Sequence, residues 1–500
     1  MKESKLLKNV IFGFGGQFLV LALGIIVPRI VISSYGSDVN GLMSTVTQVF
    51  TYMALLEAGI GQAARNALFK PLSEGDTEGI NCVCSVSRRY FRKITLYYGA
   101  IVVVLSLGLP FVLKSNVGFF TIFLVVLLEG LSGVISFYYI ETQTIILNAD
   151  GRGYINNGVN VANKISVYLA KIFMAAAGLN IAFLQFACFL ITVAKVIFYR
   201  IYFEKNYSWI DYNAASPNVK LKDRNSYIIT EITWTIFSST DLVVLSIFVS
   251  TQLASVYSVY NMVFSSLSVL LNAVYTGVGY ILGQTYHEDI RKYCKIHDCF
   301  NSVFVGGMTM LMCVAYVLII PFIKLYTKGI FDVNYIYPLL PVLFALVNIL
   351  SWSRYVAGNL IGVAGHIREA QVMNILEAAI NIVFSIILVR RFSITGVLIA
   401  TVVALPLKVV YCNYMADRVI LQRSSRKTIL ILGLNYLLFT ATVLIEKKIE
   451  IQVDNYMDLI IWGCLLSMVV GIVGIAVNIM VNPECMRLVT EKIKERKYQK

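Results

Sequence analysis

The chain has 500 residues, of which 58% are hydrophobic and 14% charged, and its mean hydropathy is +0.74. Soluble domains carry roughly 25% charged residues, and no single water-soluble core can bury this much apolar surface. The net charge of +14 does not point to nucleic acid, because the lysines and arginines fall in short connections between apolar runs and not along one face.

Windows of about 20 apolar residues predict an all-α polytopic membrane protein of about fourteen helices. In chain order these cover residues 8–33, 39–63, 92–113, 118–147, 157–178, 180–202, 226–249, 255–284, 298–323, 336–362, 367–389, 395–416, 428–445 and 457–481. The start, MKESKLLKN, leads into the first span with no small-residue cleavage site, which predicts a retained helix and not a signal peptide. Basic residues cluster in alternate connections: Lys2, Lys5 and Lys8; Arg88, Arg89, Arg92 and Lys93; Lys205, Lys220, Lys222 and Arg224; Arg291, Lys292 and Lys295; Arg423, Arg426 and Lys427; and the tail from Arg487. The intervening connections, such as SSYGSDVN and VSTQLA, are short and nearly uncharged. The positive-inside rule therefore predicts a multi-pass protein of the inner (plasma) membrane with both termini in the cytoplasm.

A faint internal repeat sets DVNGLMSTVTQVF (38–50) against QLASVYSVYNMVF (252–264). Together with the longest connection, it predicts an N-terminal six-helix lobe over 1–202, a cytoplasmic connection over 203–225 and a C-terminal six-helix lobe over 226–419. Residues 420–500 would add two helices and a basic cytoplasmic tail. Lobes of six helices share one orientation, related by a pseudo-two-fold axis along the membrane normal.

A charge near the bilayer centre costs at least about 2.5–3.5 kcal/mol, so each deep charge needs a partner or a wet cavity. Lys164 and Lys171 in the fifth span share one helix face with Tyr168 between them. Lys171 is too deep to reach the head groups easily, whereas Lys164 suits either snorkelling or a cavity. Arg354 and Lys408, the latter two residues after Pro406, are cations at depth in the second half. Arg29, next to Pro28, reads equally as an outer anchor or a cavity residue. The acidic counterparts are Glu57, Glu129, Glu231, Asp241 and Glu377. Asp241 and Glu377 either neutralise one of the lysines or act as proton or cation sites.

Other signals are structural. The nine cysteines lack metal-ligand spacing and read as free thiols, and the three histidines form no metal constellation. Gly13, Gly15 and Gly16 lie within an apolar helix and suit close packing rather than a phosphate loop. Most tyrosines read as interfacial anchors, with Tyr168 and Tyr257 placed to stack on sugar rings.

The run NVIFGFGGQFLVLALGIIVPRIVISSYGSDVNGLMSTVTQVFTYMALLEAGIGQA resembles the start of Wzx-type polysaccharide repeat-unit flippases of the multidrug, oligosaccharidyl-lipid and polysaccharide exporter superfamily. The resembling elements are Pro28, the Tyr35-Gly36 turn, Gly41, and Leu56-Glu57-x-Gly59-x-Gly61. The resemblance implies transport, not catalysis: an undecaprenyl-diphosphate-linked oligosaccharide would move to the outer leaflet by alternating access. It further implies no cofactor, coupling to a proton or sodium gradient, and a polysaccharide polymerase and other assembly proteins as partners. On that reading Lys171, Arg354, Lys408, Arg29 and Lys164, with Tyr168, meet the substrate, and Asp241, Glu377 and Glu57 couple the ion. A multidrug exporter of the same superfamily is the nearest rival, but its cavity for cationic drugs should be acidic. A lipid-linked peptidoglycan precursor flippase ranks lower, since Pro28-Arg29-Ile30 lacks the acidic neighbour of that family's first-helix arginine. A polysaccharide polymerase would need a larger outer loop than the dozen residues available here.

Overall fold

A computed structural model describes residues 2–53, 60–214, 224–446, 448 and 451–483. The described residues are overwhelmingly helical, as a bilayer demands: with no water at membrane depth, only structures that satisfy their own backbone hydrogen bonds can span. The helices are α1 (Lys2–Met53), α2 (Ile60–Glu74), α3 (Thr77–Val112), α4 (Phe119–Tyr139), α5 (Glu141–Ala149), α6 (Gly153–Ala176), α7 (Ile181–Asn206), α8 (Arg224–Phe248) and α9 (Thr251–Glu288). They continue as α10 (Ile290–Tyr326), α11 (Leu340–Ser353), α12 (Tyr355–Val363), α13 (Ile367–Phe392), α14 (Ile394–Tyr414), α15 (Arg426–Glu446) and α16 (Tyr456–Val481), with a π turn at Met415–Ile420.

Local chemistry sets the ends. Asp76, Asn180, Asp289 and Asn455 each accept a hydrogen bond from the first free backbone N–H groups of α3, α7, α10 and α16. Gly36 interrupts α1 at φ 84° and ψ 166°, a conformation that only glycine reaches cheaply. That break is the expected turn between the first two spans.

Eleven helices among the described residues are long and apolar enough to cross a membrane. The other three expected spans are helical too. One is the second half of α1, beyond Gly36. Another is α6, made polar by Asn156, Asn157, Asn160, Asn163 and Lys164, and the third is α8, whose stretch Ser239–Phe248 is apolar. The all-α polytopic plan is therefore what the chain adopts.

By its contacts the chain forms two compact units: Met1–Ser258 with Gly329–Val333, and Val259–Lys328 with Asn334–Lys500. The division falls inside α9. The reason is side-chain bonding of α8 and the first turns of α9 to α1, described below. In the first unit, lipid supplies no hydrophobic drive between helices, so small residues admit close approach. A Cβ on Gly16 would meet the Val161 methyls at 2.8 Å, and one on Gly130 the Val102 side chain at 2.5 Å. Gly16 thus serves packing, as its apolar setting suggests. Tyr98 fills the space beside Gly133 and stacks obliquely on Phe137.

In the second unit, α10 carries α15 and α16. Buried Asn435 donates to Asn478, to whose side-chain carbonyl Ser302 also donates. Arg423 ties Asp298 and Asp417 together at 2.6 and 2.9 Å. Cys299 is disulfide-bonded, which corrects the free-thiol reading for that residue.

Candidate functional site

α6 presents Lys164, Tyr168 and Lys171 at intervals of four and three, hence on one face. That face joins Glu129 and Ser132 of α4, Gln185 and Thr192 of α7 and Thr47 of α1 around a cavity of about 330 Å³ within the first unit. The two lysines stand about 10 Å apart along the helix axis. Lys164 is exposed and Lys171 half-buried, and among the described residues neither makes an ion pair. Glu129 is the carboxylate of this wall, and Gln185 Nε2 donates to it. Buried Asn163 Oδ1, also in the wall, meets no protein donor. The lining thus carries one net positive charge with polar groups left over, an arrangement suited to a polar anion. Sequence reading singled out the α6 stripe but missed Asn163, Gln185 and Thr192. Their signal was a polar residue inside an apolar span.

The second-half cations have different surroundings. Arg354 occupies the break between α11 and α12, Glu377 lies on α13, and Lys408 follows Pro406 on α14. Glu377, with its side chain 2% exposed, bridges both: Arg354 Nη2 is 3.2 Å from one carboxylate oxygen and Lys408 Nζ 2.6 Å from the other. The three form a buried cluster with a net charge of +1. About one turn further along α13, buried Asn381 donates to Thr401 of α14.

Asp241 is buried on α8 and accepts from the Tyr257 hydroxyl at 2.9 Å. Its neighbour Thr240 bonds Tyr52 at 3.0 Å. Tyr257, expected as a sugar platform, is itself buried in this bond. Arg29 is half-buried on α1 and does not line the α6 cavity. Glu57 lies outside the described residues.

One cluster escaped sequence reading, because it joins segments far apart in the chain. Ser37 N and Oγ donate to Asp332 at 2.6 and 2.7 Å. Asp38 accepts from Asn116 N, Ser115 Oγ and Thr251 Oγ1. Asn40 donates to Ser255 at 2.8 Å, and Lys114 Nζ to the Phe248 carbonyl at 2.7 Å. Gly41 is required for this approach, since a Cβ there would lie 1.7 Å from the Thr251 carbonyl oxygen. The two stretches of the faint repeat, beginning at 38 and 252, thus touch.

No protein-family model and no curated protein matches the sequence. Solved structures do. An inward-facing multidrug resistance MATE family transporter of the MOP superfamily superposes with a TM-score of 0.65 at 12% identity, covering 85% of this chain and 95% of that one. The lipid II flippase MurJ, in an inward closed conformation, superposes with a TM-score of 0.63 at 13% identity, covering 92% and 98%. A MATE protein in a bent conformation gives 0.55 at 14%, covering 89% and 97%. The chain therefore has the fold shared by MATE transporters and MurJ, over nearly its whole length.

Proposed function

We propose that this protein is a transporter that flips an undecaprenyl-diphosphate-linked oligosaccharide from the cytoplasmic to the outer leaflet by alternating access. The observation that carries the reading is the α6 cavity, where Lys164 and Lys171 face polar groups and, among the described residues, make no ion pair. A diphosphate supplies the missing negative charge, and charge-assisted hydrogen bonds in a low-dielectric site are roughly twice as strong as neutral ones. Tyr168 and the amides of Asn163 and Gln185 suit the adjoining sugar. The shared fold with a lipid II flippase supports a lipid-linked anion as a passenger the architecture can carry.

Arg354 and Lys408 supply a second cation pair in this scheme, with Glu377 as the coupling group. Protonating Glu377 would leave two buried cations unbalanced, which favours an incoming anion; losing the proton would expel it. Asp241 and Glu57 are further proposed coupling groups, for a proton or sodium ion. The Ser37–Asn40 cluster suits the closure of the outer side while the carrier is open to the cytoplasm. Both termini are placed in the cytoplasm, in the plasma membrane, with a polymerase and other assembly proteins as partners.

Glu129 in the cavity wall favours one rival, a cation-coupled multidrug exporter. Substitution separates the two. Lys171→Ala, Lys164→Ala, Arg354→Ala and Lys408→Ala, compared at equal membrane level, should lose surface polysaccharide, most of all Lys171→Ala. Full export by all four would reject the anion site. Loss of drug resistance with Glu129→Gln, at unchanged export, would favour the exporter.

A further inference from the structure

At the other end of the first unit lies a second cavity, of about 470 Å³, that this function does not use. Its wall includes Arg88, Tyr138, Gln143, Arg200 and Tyr212. Along α3, Arg88 stands about 36 Å from Val112, beside which Lys114 joins the Ser37–Asn40 cluster. That exceeds the roughly 30 Å hydrocarbon thickness, so the cavity lies at head-group level on the opposite, basic face.

Its polar groups are unsatisfied in a consistent way. Arg88 lies over the Tyr212 ring at 4.5 Å, and Arg92, one turn on, over the Tyr138 ring at 5.0 Å. Among the described residues no carboxylate pairs with either. Nearby Arg152, by contrast, has Asp150 at 2.9 Å, and Arg200 has Glu204 at 2.9 Å. The Tyr212 hydroxyl and Gln143 Oε1, both in the cavity wall, are buried and meet no hydrogen-bond partner among the described residues. Buried polar groups in native proteins are nearly always paired, so two orphans in one cavity wall call for a ligand. Burial pushes the Tyr212 phenol up, so it stays a donor. On the rim Tyr139 is exposed, as a lipid-facing side chain is.

We propose that this cavity binds a phosphate-bearing lipid head group of the inner leaflet, with the phosphodiester on Arg88 and the Tyr212 hydroxyl. Gln143 Oε1 then accepts from a hydroxyl of the head group, which selects a phosphatidylglycerol-like lipid over a choline one. The guanidinium fork suits a phosphate, and stacking on Tyr212 holds it in place. The Glu204 carboxylate on the rim stays occupied by Arg200.

The test is equilibrium binding of short-chain phosphatidylglycerol, phosphatidylcholine and inorganic phosphate to the detergent-purified full-length chain. Phosphatidylglycerol should bind about fivefold to tenfold more tightly than phosphatidylcholine, the weight of one neutral hydrogen bond. Arg88→Gln should weaken it by a similar factor. Tyr212→Phe removes a hydroxyl with no protein partner, so it should weaken binding while leaving thermal stability unchanged. Lys171→Ala, in the other cavity, should leave this binding intact. Inorganic phosphate binding as tightly as the lipid would keep the anion site and make free phosphate its ligand. Equal binding of both lipids, or binding indifferent to Arg88→Gln and Tyr212→Phe, would overturn the proposal.

Discussion

Two sets of deep cations meet opposite surroundings. Lys164 and Lys171 of α6 line a polar cavity with no ion pair among the described residues, whereas Arg354 and Lys408 are clamped on the buried carboxylate of Glu377. Sequence alone treats Lys171, Arg354 and Lys408 alike, since each is a charge well inside an apolar run. The difference is set by a third residue on another helix. A cation that keeps its charge open to a cavity suits a passenger, while one whose charge is shared holds helices together until something competes for its partner.

Removing the shared carboxylate sharpens that contrast most. Glu377→Ala leaves two buried cations unbalanced and should cost about 3–5 kcal/mol, read as a lowered thermal midpoint of the purified protein. Lys171→Ala should leave that midpoint in place; equal destabilisation by both would erase the distinction. Next in size is Gly41→Val. Its side chain collides with the Thr251 carbonyl and should cost about 1–3 kcal/mol by overpacking. The start of α9 should part from α1, read as faster maleimide labelling of a Ser255→Cys reporter, and unchanged labelling would count against the Ser37–Asn40 cluster as a closure. Smallest is Tyr257→Phe, which removes the hydroxyl donating to Asp241 and should cost about 1.5 kcal/mol of stability. No change would show that Asp241 finds an equal donor.

The fold was legible because apolar length and helix-breaking residues act locally. Among the described residues each of the fourteen runs falls on helix, and Tyr35-Gly36 marks the turn inside α1. The α6 stripe was legible for the same reason, its spacing alone placing Lys164, Tyr168 and Lys171 on one face. Partnership was not legible. Glu377 lies 23 residues from Arg354 and 31 from Lys408, and nothing in local spacing says that one carboxylate serves both. Asp332 is 295 residues from Ser37, so the cluster that binds α8 and α9 to α1 left no trace in the pattern and sets the boundary of the first unit at Ser258. The basic connections, Arg88 and Arg92 among them, read as topology signals and as contacts to anionic lipid head groups, but the buried Tyr212 hydroxyl that makes a defined site beside Arg88 is visible only in three dimensions.

The account stands on the α6 cavity as an anion site. Its most direct test is the binding of a short, water-soluble prenyl diphosphate to the purified full-length protein, comparing wild type with Lys171→Ala. At equal thermal stability the variant should bind about tenfold or more weakly, the loss expected for one charge-assisted hydrogen bond. Lys171→Arg should recover part of the loss. Unchanged affinity in Lys171→Ala would contradict the account.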